Sequence, residues 1–429
     1  MTHPSLPLKG KGLVPSPPRR GPGSVLSEVR LDAVETNKVE GVRSSQRRNE
    51  LAMNLLKGQL KSCSGLAKDR VVLTCGIISL AAFVAARALS PEEGRHDQRA
   101  KTEAARIMER AIAAVREHCI SHGMQFDDAL DPNHTGLIGL EYSEITTTVG
   151  SLEAKRTTTN PNMAGVVLQL LEEAGVLPGD TIAVGCSASF PALMIATLAA
   201  SKAVGVHPVM ILSLGASSFG ATRDDFTLLD IYGVLKNSGI VDISPAGVSL
   251  GGAKDVGQEY EAEMKARLVE KIRLSGFRFL NQADLQRNVS ERMAIYLGSA
   301  GNRRVAAFVN IGGNYANLGA SPLVLKLNTG VNALVSIPAA RESHGVVFAM
   351  AERHIGVIHL LHIKGLALKY GLPWDPFPLP KAGDGTLQAR STLSIGLGIV
   401  ASVYFSVTVL IFVLHRKTFF RTLSQRKRS

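Results

Sequence analysis

The sequence predicts an α/β protein: a mostly parallel, Rossmann-like sheet flanked by helices and carried between two transmembrane helices. Three observations predict it. Short β-branched runs alternate with helical patterns from residue 162 to residue 311, which is the signature of βαβ units whose sheet is covered on both faces. Four of these runs end in a glycine- and hydroxyl-rich turn. Long uncharged runs at 71–86 and 393–414 bracket the body. With 429 residues, 45% of them hydrophobic and 20% charged, the chain can build a sizeable core and is neither disordered nor fibrous in composition.

Residues 1–70 read as a disordered basic arm, with Pro15, Pro17, Pro18, Arg19, Arg20 and Pro22 crowded together. If translation begins at Met53, residues 1–52 lie upstream of the true start and the leader is an ordinary length for a signal anchor. The run VVLTCGIISLAAFVAA reaches Leu89 when Arg87 snorkels, giving a transmembrane helix over 71–89. A cleaved signal peptide ending near Ala88 is the competing reading, but 70 residues before the apolar stretch is a far longer leader than such peptides carry. Residues 393–414 are 22 uncharged residues, enough to cross a hydrocarbon core of about 30 Å as a helix. The basic tail at 415–429 follows and should face the cytoplasm. Two spans then put both termini in the cytoplasm and the body outside the inner cell membrane.

The formal charge of +12 belongs to the ends. Residues 1–70 hold 13 basic against 6 acidic residues and residues 415–429 hold 6 basic and no acidic ones, leaving −1 for everything between. A nucleic-acid-binding domain needs its own basic face, so the near-neutral body excludes that class. Cys63 precedes the first span and Cys75 lies within it. A bridge between Cys119 and Cys186 is open, although two cysteines so placed are more often unpaired. No metal-ligand spacing occurs.

Between the spans, residues 90–135 form a juxtamembrane region. Its helix over 101–121 groups Ile107, Ala111, Ala114, Val115 and His118 near one face and stops before Gly123. The α/β domain is expected over 136–372. Helices are expected at 162–174, 191–204 and 259–274, and strands at 181–184, 209–212, 247–250 and 305–311. The apolar stretch IGVIHLLHIKGLAL at 355–368 reads as helical, its histidines packed. Residues 373–392 form a Pro-rich linker.

The turns after the strands carry the functional reading. Ser187 and Ser189 follow the first, Ser217 the second, Gly251 the third, and Gly312 and Gly313 the last. In a parallel sheet these turns share the carboxyl edge, where open α/β folds bind ligands. The helix start at 189–191 adds unpaired N–H groups suited to an anion. Each turn alone fits a purely structural role as well. Upstream, the polar run at 141–162 offers Glu141 and Glu144 as bases, and Lys155 and Arg156 as carboxylate or phosphate ligands. The alternative is a solvated loop in which Asn160 or Asn162 caps the next helix. The run is too polar for a core.

The stretch 140–156 and the segments GCSASFPAL, SLGASSFGA, VSLGGAKDVG, FVNIGGNYANLG and IKGLALKYGLPWDPFPLP together resemble the poly-gamma-glutamate system proteins of bacteria. The resemblance spans residues 136–380 and includes the flanking spans. It implies a membrane component of the machinery that makes and exports this anionic capsule-type polymer, with the other synthesis and export subunits, the membrane and the polymer as partners. It brings no catalytic residue set and no cofactor.

Two function classes follow. One is an accessory that binds the polymer or a partner subunit through a glycine- and serine-rich crevice. The other is a serine- or carboxylate-dependent hydrolase or ligase acting on the polymer or its precursor. For the second, GCSAS lacks the later glycine of a G-x-S-x-G elbow, and His344, His354, His359 and His362 are the histidines on offer. A buried Cys186 should be inert, and GCSASF does not fit the dinucleotide pattern G-x-G-x-x-G.

Overall fold

The computed structural model describes residues 70–88, 92–333, 335–384, 398, 400–411 and 413. The basic arm, the possible start at Met53, the end of the linker and the basic tail lie outside the described residues, as does part of the 393–414 run. The chain divides into two units. The described parts of the smaller are helix α1 (Arg70–Ala88) and helical residues 400–411, joined by a 3.0 Å hydrogen bond between the Ser79 and Tyr404 hydroxyls. Among the described residues no helix is long and apolar enough to cross a membrane.

The larger unit runs α2 (Glu92–Ser121), β1 (Thr146–Thr148), α3 (Leu152–Thr158), α4 (Met163–Glu173), β2 (Thr181–Ser187), α5 (Pro191–Val204), β3 (His207–Ser213) and β4 (Ala216–Ser217). It continues through α6 (Leu228–Asn237), β5 (Gly247–Ser249), α7 (Ala262–Ser275), β6 (Phe279–Leu280), α8 (Leu285–Ala300) and β7 (Val305–Ile311). The last elements are α9 (Tyr315–Leu318), β8 (Gly330–Asn332), α10 (Val346–Ala351), β9 (Gly356–Leu360) and α11 (Ile363–Tyr370).

The sheet order is β6-β5-β3-β2-β7-β9-β8, parallel throughout except for β8 against β9. The expected α/β class and mostly parallel sheet are therefore present. Strand period sends Ile182, Val184 and Cys186 of β2, and Ala307, Val309 and Ile311 of β7, to one face, where α2, α4, α5, α6, α7 and α11 bury their apolar stripes. Ala183 and Phe308 point the other way, into a second cluster with Val289, Met293 and Tyr296 of α8 and Val346 to Met350 of α10. With both faces covered, the strands read as near-continuous apolar runs.

The chain builds outward from β2 through β3 and β5 to β6, then returns to the opposite side of β2 as β7. Strand order reverses between β2 and β7, so ligands have a natural crevice beyond their carboxyl ends. A two-stranded parallel ladder of β1 and β4 pairs Thr146 with Ala216 and Thr148 with Ser217. It fixes the turn after β3.

The structure corrects three expectations. The 355–368 stretch is not one helix but β9 followed by α11, with His359 opposite Asn310 of β7. The 157–162 part of the polar run is core: Thr157, Thr158, Thr159, Asn160 and Asn162 are all buried. Their hydroxyls are satisfied locally, Thr157 donating to the Glu153 carbonyl at 2.7 Å and Thr158 to that of Lys155 at 2.6 Å. The described part of the linker, 373–384, is docked: the Leu379 amide donates to Asn133 and the Gly383 amide to Asn162. The amphipathic helix expected at 101–121 lies within α2, which buries Ala104, Met108, Ala111 and Val115 against α4, α5 and α6. Cys119 and Cys186 are both buried and free.

Beneath the carboxyl edge lies a buried ion pair. Asp255 and Arg292 are both 0% exposed, with Nη2 of Arg292 2.6 Å from Oδ2 of Asp255. Asn288 also donates to Oδ2, at 3.0 Å. The Ser249 hydroxyl and the Asn314 amide donate to Oδ1, at 2.8 and 2.7 Å. The Asn314 amide also reaches the Ser213 hydroxyl at 2.9 Å. The network ties the ends of β3 and β5, the turn after β7, and α8 to one carboxylate. Removing one partner of such a pair leaves an uncompensated buried charge, so Arg292→Met should cost about 3–5 kcal/mol. Denaturant titration monitored by circular dichroism measures it; a loss under about 1 kcal/mol, the range of an exposed ion pair, would show that the pair does not hold the edge together.

Candidate functional site

At that edge is a cavity of about 940 Å³, lined by the 147–155 segment, the end of β2, the turn after β3 with Ser217 of β4, the turns after β5 and β7, and the start of α11. The turns expected to converge do converge. Gly251 and Gly252 adopt φ of +75° and +67°, and a Cβ on Gly251 would stand 2.6 Å from the Gly215 nitrogen, so this turn requires glycine. Lys254 and Asp255 also take positive φ, a strained arrangement for residues with side chains, held by the donors around Asp255. The Glu259 carboxylate accepts from the Ala253 amide at 2.8 and 3.0 Å and closes the turn.

Lys155 is the central side chain. Ser151 caps α3, its hydroxyl accepting from the Ala154 amide at 3.2 Å, and the single helical stretch aims Lys155 inward. Lys155 is 2% exposed. Its Nζ donates to the Ser189 carbonyl and to the Ser217 hydroxyl, the latter at 2.6 Å, and sits 3.8 Å from the centre of the Phe190 ring. Among the described residues Nζ forms no ion pair. Burial therefore lowers its pKa to about 7.

Ser217 is held from behind, its amide donating to the Ser189 hydroxyl at 3.0 Å. Gly150 lies so close that a Cβ there would be 3.0 Å from the Ser217 hydroxyl and 3.2 Å from Lys155 Cε. Ser187 is the end of β2 rather than a turn residue; it is among the lining residues, and its hydroxyl is buried with no partner among the described residues. A Cβ on Gly312 would come within 2.2 Å of that hydroxyl.

Of the expected site residues, Lys155, Ser187, Ser189, Ser217 and Gly313 line the cavity, while Gly251 and Gly312 shape it from immediately behind. Arg156 does not line it. Its guanidinium makes a two-pronged pair with Asp375, at 2.6 and 2.5 Å, and also donates to the Ala129 carbonyl. Glu141 and Glu144 are likewise not among the lining residues. Of the four histidines only His362 is. His359 is buried against Asn310 with its pKa lowered to about 4, and His344 is engaged by Glu352 and the Pro338 carbonyl. Cys186 is fully buried, which pushes its thiol pKa up.

Sequence reasoning missed Phe190, Lys364 and Trp374 in the lining. Phe190 directly follows the GCSAS turn, and Trp374 is the chain's one tryptophan, in a proline-rich segment otherwise read as linker. No protein-family model, curated protein or solved structure matches this chain.

The lysine environment has a measurable consequence. In the unfolded chain Lys155 keeps its proton to about 10.5, whereas the folded amine loses it near 7. Between those values the unfolded state binds the extra proton, so this residue's contribution to stability rises with pH across the window and is constant below it. The difference in melting temperature between wild type and Lys155→Met should therefore shift in favour of wild type from pH 7 to pH 10. A difference independent of pH would mean that the amine is not desolvated.

Proposed function

We propose that this chain is a membrane-anchored accessory component of poly-gamma-glutamate biosynthesis or export, and that its cavity binds an anionic glutamyl chain. One observation carries the reading. The strand-end segments in which the sequence resembles that system are the turns that wall a single cavity, with the buried Lys155 amine at its floor. Such an amine offers a ligand carboxylate a charge-assisted bond away from bulk water. Because the body's net charge is −1, recognition depends on such local donors and not on a long-range field.

The membrane part rests on the uncharged runs of the sequence at 71–86 and 393–414, since no described helix is by itself long and apolar enough to cross a membrane. α1 exposes Ile77, Leu80, Phe83 and Val84, and residues 400–411 expose Val403, Phe405 and Leu410. Apolar side chains exposed together along both helical segments suit a lipid environment. With the basic tail cytoplasmic, the α/β unit lies outside the inner membrane and both termini inside it.

Three measurements test this. Deletion in a producing strain should reduce or mislocalise the polymer, and unchanged polymer amount, length and location would refute the pathway. A reporter active only in the cytoplasm should be on after Ser429 and off near Gly383; the opposite pattern would refute the topology. Glutamyl oligomers should change Trp374 fluorescence on binding. Lys155→Met should weaken that binding by about tenfold or more, since a hydrogen bond to a charged group contributes about 1.5–3 kcal/mol. Lys155 is cationic below about pH 7, so wild-type affinity should fall as pH rises through that value. An affinity indifferent to both changes would remove Lys155 from the site.

A further inference from the structure

We propose that Ser217 and Lys155 form an acyl-transfer pair, with Ser217 Oγ as nucleophile and Lys155 Nζ as the base that takes its proton. This rests on the reading that the cavity is the working site, and it names a chemistry for it.

Geometry comes first. Nζ and Oγ are 2.6 Å apart in a buried corner of the cavity wall. Nothing acidic holds the proton on the amine: its other neighbours are the Ser189 carbonyl and the Phe190 ring face. A neutral amine satisfies this corner completely, with one hydrogen to the carbonyl, one toward the ring, and its lone pair accepting the Ser217 hydroxyl proton. Burial keeps that neutral form accessible, with a pKa of about 7. Ser217 cannot swing away easily. Its amide is fixed to the Ser189 hydroxyl, and its strand β4 is laddered to β1.

The other serines do not fit the role. The Ser189 hydroxyl accepts the Ser217 amide, and Lys155 reaches only its backbone carbonyl. Ser187 has no base beside it, and its unpartnered hydroxyl is itself buried.

The step balances. Oγ attacks the carbonyl carbon of an ester or amide while its proton passes to Nζ, and Nζ returns that proton to the leaving alcohol or amine as the carbonyl bond to it breaks. Water or a second amine then attacks the Ser217 ester, giving its proton to Nζ; Nζ hands the proton back to Oγ as the ester breaks, and the pair is restored. Once Lys155 serves as base it is not available to hold a carboxylate. Lys364, exposed on the same lining, is the cation left for an acidic substituent on the acyl compound.

The test uses the full chain and a fluorophosphonate probe, which phosphonylates an activated serine with release of fluoride. Peptide mapping of wild type should place one adduct on Ser217. Its rate should rise with pH through about 7, and Lys155→Met should slow it by at least about 100-fold, the lower end of what a positioned base contributes. No adduct, or an adduct on another serine, overturns the pair, and because mapping is done on wild type the outcome does not depend on how a variant folds. The Trp374 titration separates the two readings. A wild-type chain that binds glutamyl oligomers but takes no adduct loses the chemistry and keeps the binding; one that takes the adduct at Ser217 but binds no oligomer does the reverse.

Discussion

The carboxyl edge of this sheet depends on one buried carboxylate. Asp255 receives donors from β5, from α8 and from the turn after β7, and one of them is the fully buried Arg292. A charge pair so placed contributes little net stability compared with apolar packing, yet breaking it is costly. Its effect is on geometry. Three strand ends and a helix can meet only in the arrangement that satisfies Asp255, and the left-handed backbone at Lys254 and Asp255 is tolerated because those bonds exist only in that conformation.

The cavity inherits its shape from this clamp. Gly251 and Gly252 bring the turn after β5 against Gly215, and Gly312 brings the turn after β7 against Ser187. The small ladder of β1 and β4 then carries Ser217 to Lys155. The turns approach one another backbone to backbone, while larger side chains such as Phe190, Tyr315, Lys364 and Trp374 complete the lining. The chemistry falls to a few groups: the Lys155 amine, the serine hydroxyls and the aromatic faces of Phe190 and Trp374.

How much of this the sequence revealed varies with the physics of each segment. Strand β7 was legible to the residue, and α5 likewise, because Pro191 marks its start and Gly205, at φ +67°, its end. Helix α8 was missed because its buried face includes Asn288 and Arg292, which break the apolar stripe that periodicity detects. β9 was read as helix because a strand buried on both faces is a continuous apolar run with no period of two. The polar run at 157–162 was kept out of the core on composition, which cannot show that each threonine bonds to its own helix. The convergence of the glycine turns was readable from the parallel-sheet rule. Arg156 was not, since its neighbour Asp375 lies 219 positions along the chain.

That long-range pair bears on the order in which the protein can be made. Asp375 grips Arg156 and its amide donates to the Thr157 hydroxyl, while Trp374 beside it closes one wall of the cavity. α3, which carries Lys155, is therefore fastened from the far end of the unit. During synthesis, which proceeds from the N-terminus, the lysine corner is made early and waits through the emergence of five sheet strands, β5 to β9, for its last support. Contacts of such sequence separation are slow to form. The completed site is accordingly a mark that the whole unit has folded: a chain stopped before residue 374 would carry Lys155 and Ser217 but neither the wall nor the fastening that finishes their enclosure.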